Sequence, residues 1–254
     1  MTSKRPEVTV VTANYNCEKF IASTMDSVLK QSFQNWEMII VDDKSTDRSC
    51  EIIETYCEKD NRIQLVKLED NVGPAEARNT AIRLAQGRFI AFLDSDDQWT
   101  PEKLEVQINF MKQGEFALTF TEYKKIDEDG QVISGIIERP RKVSYPKMLN
   151  SNYIPCLTAI YDSSILGKLY MPNILKRQDY GLWLAILKVV PYAYSINQPL
   201  AFYRVRKSDS VSSNKFKSAI YHWKILRELE KVNPIKATYH FIQYAVIGYI
   251  KFRK

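Results

Sequence analysis

Five consecutive apolar residues, Phe89, Ile90, Ala91, Phe92 and Leu93, run directly into Asp94, Ser95, Asp96 and Asp97. A half-exposed strand alternates apolar and polar side chains. An unbroken run therefore fits a strand covered on both faces, as at the centre of a mostly parallel sheet. Such sheets bind ligands outside the carboxyl ends of their strands, which is where this run delivers three carboxylates. If the backbone stays extended for two more residues, Asp94 and Asp96 project to the same side, about 7 Å apart. One hard cation suits that pair. Mg²⁺ or Mn²⁺ prefers oxygen ligands, and one or two carboxylates leave room for water and phosphate oxygens. The implied substrate carries a diphosphate.

Acidic residues after a strand also start turns and cap helices. Here Thr100 and Pro101 offer an N-cap and a first residue for a helix through Leu104, Ile108 and Met111. On that reading the three carboxylates have no structural duty.

The rest of the first half repeats one unit. Residues 8–13 form a buried strand, followed by Asn14, Tyr15, Asn16 and a helix with Phe20, Ile21, Met25, Val28 and Leu29 on its apolar face. Residues 38–41 form a second strand leading into DDKSTD and a helix with Ile52, Ile53, Tyr56 and Cys57. Residues 63–68 form a third, and Asn71, Val72, Gly73 and Pro74 turn into an Ala-rich helix with Gly87 as its stop. This alternation predicts an α/β layer with a parallel sheet, in which one crevice collects Tyr15, Asp43, Asp94 and Asp96. Taken singly, Tyr15 could pack and Asp43 could open a turn. No GxGxxG follows the first strand and no GxxxxGK[ST] occurs, which argues against dinucleotide cofactors and P-loop hydrolysis.

Beyond residue 113 the pattern is irregular. Strands are expected at 116–121 and 157–161, with a hairpin turn at 127–130 before 132–137. In the segment LKRQDYGLWLAILKVV, Leu182, Trp183, Ile186 and Leu187 mark a helix with Asp179 at its start. An aspartate there is a common helix-start residue, and the helix dipole favours its ionised form. A role as a base requires the helix start to face the Asp94 crevice.

With 254 residues the chain can bury one sizeable core, or a main domain with a small appendage. MTSKRPE has no apolar signal core, and no run is long enough to cross a bilayer, so a cytoplasmic protein is expected. Cys17, Cys50, Cys57 and Cys156 lack CxxC spacing and read as reduced core thiols. Only His222 and His240 are present, which argues against zinc or a His-based triad. The net charge of +6 suits an anionic substrate, nucleic acid or an acidic membrane face.

The motifs VVTANYN at 10–16, VDDKSTD at 41–47, NVGPAEARNTAI at 71–82 and FLDSDD at 92–97 share order and spacing with a known family. The sequence resembles the family 2 inverting glycosyltransferases, which have the GT-A fold, a Rossmann-like and mostly parallel central sheet flanked by helices. RQDYGLWL at 177–184 looks like the family's base motif, and YRVRKSDSVSS at 203–213 like its segment near the diphosphate. The resemblance implies a nucleotide-sugar site of Ala13, Asn14, Tyr15, Asp43, Arg78, Asp94, Ser95, Arg204 and Arg206. It further implies Asp94 and Asp96 as ligands of Mn²⁺ or Mg²⁺, and Asp179 as the catalytic base. Gln178 replaces the family's usual glutamate, and Arg206 stands where many relatives have histidine. Arginine cannot ligate a metal but pairs with phosphate.

The expected organisation is a GT-A domain over 1–213 and a helical basic-aromatic extension over 214–254. Within the domain, residues 1–115 would bind the nucleotide-sugar and 116–213 the acceptor. The donor implied is a UDP-hexose or UDP-N-acetylhexosamine and the acceptor a saccharide, lipid-linked in surface-polysaccharide synthesis. The tail IKATYHFIQYAVIGYIKFRK, apolar with basic ends, suggests peripheral contact with the inner face of an anionic plasma membrane. Two alternatives are a sugar-phosphate nucleotidyltransferase, which would release pyrophosphate, and a non-catalytic nucleotide- or nucleic-acid-binding protein. The acidic central loops argue against nucleic acid.

Overall fold

The computed structural model describes residues 5–174, 176–206 and 215–253. Four strands form the parallel part of the sheet: β1 (Val8–Asn14), β2 (Trp36–Asp42), β3 (Ile63–Lys67) and β4 (Phe89–Phe92). Helices α1 (Ile21–Leu29), α2 (Ser49–Lys59) and α3 (Pro74–Leu84) join them. There follow β5 (Gln98–Trp99), α4 (Lys103–Gly114), β6 (Leu118–Ile126), β7 (Lys142–Val143) and α5 (Tyr145–Asn150). After β8 (Ile160–Asp162) come α6 (Ser163–Leu166), α7 (Gln178–Leu187) and β9 (Ala193–Arg204). The C-terminal helices are α8 (Lys215–Lys224) and α9 (Pro234–Arg253), separated by a π-helical turn at Ile225–Leu229.

The sheet order is β3-β2-β1-β4-β8-β6-β9-β5, with β7 alongside β9. The β1, β2, β3 and β4 ladders are parallel, as is β6 with β9, whereas β8 runs antiparallel to β4 and β6. Chain order reverses between β1 and β4. Their following loops therefore diverge and open a crevice at the carboxyl ends.

The apolar runs are continuous because both sheet faces are covered. Val11, Ile39, Val41, Ile90 and Phe92 enter one core with residues of α3 and α7. Val10, Met38, Ile40, Phe89 and Ala91 enter the other, with α1 and α4. Leu226 and Ala237, after residue 213, are fully buried in the same core as Phe92 and Trp183. The expected domain boundary at 213/214 lies outside the described residues.

Three local expectations change. Thr100 does not cap α4: the helix begins at Lys103 after Glu102, and Thr100 contributes its carbonyl to Lys103 N–H at 3.2 Å. Gly87 does not stop α3, which ends at Leu84; instead, a Cβ on Gly87 would lie 2.5 Å from Thr9 N. Residues 132–137 pair with β6 only through the bridges Tyr123–Ile137 and Ile126–Val132, across the turn closed by Gly130 N–H to the Asp127 carbonyl.

Candidate active site

The loops after β1 and β2 are laced together before any substrate arrives. Asn16 Oδ1 accepts Thr46 N–H at 2.8 Å, Glu18 N–H donates to Asp47 at 2.9 Å, and Arg48 N–H donates to Glu18 at 3.0 Å. Asn14 is buried and donates to Asp42 Oδ1 at 2.7 Å, so its side chain serves this lacing. Ala13 packs against the core below it, and Tyr15 is 51% exposed at the crevice mouth.

Asp43 is also buried, yet it does more than open its own turn. Its two oxygens accept Val72 N–H at 2.7 Å and Gly73 N–H at 2.9 Å, which fixes the turn into α3. Gly73 has φ 88°, a left-handed conformation that glycine adopts without a Cβ penalty. From that anchored start, α3 carries Arg78 into the crevice.

Arg78 donates to Asp94 Oδ1, and both side chains are largely covered. Burial opposes the guanidinium's charge, but Asp94 more than offsets it and holds Arg78 firmly protonated, with Asp179 adding to the effect. Arg78 thus lies in the fields of the carboxylate after β4 and the one at the start of α7. Asp179 enters that helix behind Arg177, whose φ of 63° is left-handed, and its Oδ2 accepts Asn152 Nδ2–H at 3.0 Å. Burial raises the Asp179 pKa above its ordinary value, against the Tyr180 N–H, Arg78 and Asn152, which lower it. Burial thus outweighs the hydrogen bonds and the Arg78 charge that favour the ionised form of this carboxylate. Its shift increases its strength as a base.

Asp96 faces Arg206, Oδ2 to Nε 3.6 Å, and burial followed by the Asp94 charge raises its pKa. Ser95 contributes its carbonyl, which accepts Thr24 Oγ1–H at 2.9 Å. Asp97, by contrast, has a structural duty. It is buried, its Oδ1 accepts Arg204 N–H at 2.8 Å, and burial pushes its pKa well above the usual carboxylate range.

The two arginines separate sharply. Arg204 is buried and donates to the carbonyls of Asp96 at 2.8 Å, Asp127 at 2.8 Å and Glu128 at 3.0 Å. Arg206 is a third exposed, lies over Phe20 at 5.2 Å, and lines a cavity of about 430 Å³ with Tyr15, Cys17, Phe20 and Asp47. Of the pair, Arg206 is placed to meet an incoming anion. The residues 207–213 of the expected diphosphate segment lie outside the described residues.

Among the described residues, no group of three or more His, Cys, Asp or Glu side chains forms a ready metal cage. A cage is not required for Mg²⁺ or Mn²⁺ shared with substrate phosphates. Asp96 offers a hard oxygen donor whose charge is penalised by burial and by Asp94, and a divalent cation would relieve both. The donor set fits. Asp94, already joined to Arg78, is the weaker candidate ligand.

Sequence reasoning did not single out Asn152, Phe20 or Thr24 as parts of the site. Asn152 lies in an irregular segment whose approach to Asp179 is set only by packing. Thr24 and Phe20 read as ordinary residues of an amphipathic helix, although a polar Thr24 on its buried face was a visible anomaly.

The glycosyl transferase family 2 profile matches residues 9–167. TuaG of Bacillus subtilis, a candidate teichuronic acid biosynthesis glycosyltransferase, is 45% identical over 96% of this chain and 97% of its own. WfgD of Escherichia coli is a UDP-Glc:alpha-D-GlcNAc-diphosphoundecaprenol beta-1,3-glucosyltransferase. It is 39% identical over 95% of this chain and 93% of its own. The fold is similar to that of S. aureus TarS 1-349 in complex with UDP-GlcNAc, with a TM-score of 0.73, 21% identity, and coverage of 94% of this chain and 71% of that one. Divalent metals are common in enzymes of this kind. The chain belongs to glycosyl transferase family 2 and is a glycosyltransferase.

Proposed function

We propose that this glycosyltransferase moves a hexose or N-acetylhexosamine from a UDP-sugar to a hydroxyl of a lipid-linked saccharide during surface-polysaccharide synthesis. The observation that carries this reading is the convergence of Asp94, Arg78 and Asp179 on one crevice. UDP-Glc as the donor named for WfgD and the UDP-GlcNAc held by TarS support the nucleotide. The diphosphoundecaprenol acceptor in the WfgD name supports the lipid link.

In this mechanism Tyr15 and Asp43 flank the nucleotide base, while Arg78 and Asp94 lie beneath the ribose and diphosphate. Asp179 takes the proton of the acceptor hydroxyl as its oxygen bonds to the anomeric carbon. The bond from that carbon to the diphosphate breaks, UDP leaves, and one displacement inverts the anomer. Transfer of the proton late in the step suits a carboxylate, because the hydroxyl becomes acidic only as the new bond forms. Arg206 stabilises charge gathering on the leaving diphosphate. A Mg²⁺ or Mn²⁺ held by Asp96, with Asp94 as the second candidate, would supply Lewis-acid stabilisation of the same oxygens.

A peripheral membrane contact is part of the proposal. Ile235, Tyr239, Ile242, Val246 and Tyr249 recur at intervals of four and three along α9 and are exposed. The chain after Glu230 has Lys231, Lys236, Lys251, Arg253 and Lys254 and no Asp or Glu. That charge suits an anionic bilayer and opposes pairing with a second, equally basic α9. No helix among the described residues is long and apolar enough to cross a membrane. Flotation with anionic but not neutral vesicles, lost in Ile242→Ser/Val246→Ser, is expected; equal flotation of wild type and this variant would remove the contact.

The donor is tested by melting the protein with UDP, GDP, CDP or dTDP, each with and without Mn²⁺. A metal-dependent rise with UDP alone is expected. UDP release from UDP-glucose and UDP-N-acetylglucosamine, using a GlcNAc-diphosphate lipid as acceptor, then tests transfer. Pyrophosphate among the products would instead identify a nucleotidyltransferase.

A further inference from the structure

The start of α7 is held from outside the crevice by the C-terminal helix, through two side chains one turn apart. Tyr244 Oη accepts Arg177 Nη2–H at 2.7 Å, and Arg177 is the left-handed residue two positions before Asp179. His240, on the same face of α9, places Nδ1 2.6 Å from Asn150 Oδ1. Asn150 lies two positions before Asn152, whose amide donates to Asp179 at 3.0 Å. One helix face therefore grips both chain segments that approach this carboxylate.

The Tyr244 contact is built into packing. The His222 ring is fully buried between Tyr180 and Tyr244, at centroid distances of 5.6 and 4.2 Å and interplanar angles of 13° and 15°. Arg177 Nη1 lies 3.4 Å from His222 Nδ1. Burial keeps that ring neutral, and with its proton on Nε2 the Nδ1 lone pair accepts the guanidinium proton. The Arg177 carbonyl in turn accepts Gly181 N–H at 3.2 Å, closing the first turn of α7. A left-handed arginine is uncommon and needs surrounding contacts to define it.

We infer that α9 is a positioning element for the base, with Tyr244 and His240 fixing Asp179 through Arg177 and through the Asn150–Asn152 segment. The inference rests on Asp179 being the base. Neither residue touches substrate. Their contribution is geometric, and small misplacements of a reacting group are costly to rate. It follows that the segment after residue 213 works as part of the catalytic apparatus.

The test uses the full chain and UDP release from UDP-glucose, with a GlcNAc-diphosphate lipid or water as acceptor. Tyr244→Phe/His240→Ala is expected to lower kcat about tenfold. Its KM for UDP-glucose should stay within about twofold and its UDP-induced melting shift unchanged, because the donor half is untouched. His240→Gln, which restores an N–H donor toward Asn150, should recover part of the loss. Combined with Asp179→Asn, the double change should cost nothing further, since both act through one group. Wild-type kcat in the double variant, or an undiminished loss beside Asp179→Asn, would overturn the positioning role while leaving the base in place. Wild-type turnover in Asp179→Asn alone would overturn the base assignment itself, and this inference with it.

Discussion

Asp97 Oδ1 accepts the backbone N–H of Arg204 at 2.8 Å, joining the loop after β4 to the end of β9 across 107 positions of chain. The Arg204 side chain returns the tie through the Asp96 carbonyl. Two acidic-loop residues and one arginine thus form a closed link that includes the backbone of Asp96, the proposed metal ligand.

That link predicts opposite phenotypes for two arginines two residues apart. Arg204→Gln removes a buried guanidinium's bonds to three partly buried carbonyls and should lose about 2–4 kcal/mol of stability in urea unfolding. Arg206→Ala should stay within about 0.5 kcal/mol of wild type, as exposed substitutions do. Its UDP-induced melting shift should nevertheless shrink. A stable Arg204→Gln beside an unstable Arg206→Ala would reverse the assignment.

Asp179 must be ionised to accept a proton, and burial raises its pKa. Transfer should therefore fail on the acid side as pH falls through that raised value. Asn152 donates to the ionised form, so Asn152→Ala should move this acid limb to higher pH. The kcat profile of the two proteins is the measurement. Asp179→Asn should lose about 10²–10⁴-fold in kcat, the usual worth of a positioned base.

The folded-state pKa of Asp97 lies above its unfolded value, so between the two the native state binds more protons. Stability consequently falls as pH rises through that window, and the full cost is present above it. Asp97→Asn keeps an acceptor for Arg204 and cannot ionise. It should gain stability at neutral pH, by up to about 1.4 kcal/mol for each pH unit of the window below that point, and gain nothing at the window's acid end. Urea melts at several pH values would show this.

Lys103 is fully buried, donates to Gln107 Oε1 at 2.7 Å, and lies 4.2 Å from the Trp99 ring centroid. Burial drives its pKa well below the usual lysine value. Between the depressed folded value and the ordinary unfolded one, the unfolded chain binds more protons, so this lysine makes stability rise with pH. Lys103→Met should lack that contribution. The stability difference, wild type minus variant, should climb through the window by up to about 1.4 kcal/mol per pH unit. A flat difference would count against a neutral buried amine.

Much of the sheet was legible because β1, β2 and β4 are buried on both faces and must be apolar throughout. Their loops then announce themselves as abrupt polarity. β9 gave no such sign: Asn197, Gln198 and Pro199 interrupt it, and its pairing with β6 shifts register between Thr121 and Tyr123. Pairing of that kind is decided by partners far away in sequence. The same holds within the site. Asp94 and Asp179 could be named from local pattern, but Arg78 between them depends on how α3 packs. That Arg204 is committed to carbonyls while Arg206 lines a cavity cannot be read from YRVR. Thr100 misled because an N-cap pattern was available three residues before the helix begins.

Gly87 sits at the far end of β4 from the acidic loop, with Thr9 N where its Cβ would be. Its N–H donates to Thr9 Oγ1 at 2.9 Å, and that hydroxyl donates to Glu37 at 2.6 Å. β4 behaves like a rod pushed home against a stop. Asp94 lies seven positions after Gly87, about 23 Å of extended chain. A side chain at 87 would lift the rod off its stop and carry the displacement along its length. The alignment of Asp94 with Arg78 thus depends on a contact at the other end of β4, where Gly87 meets Thr9.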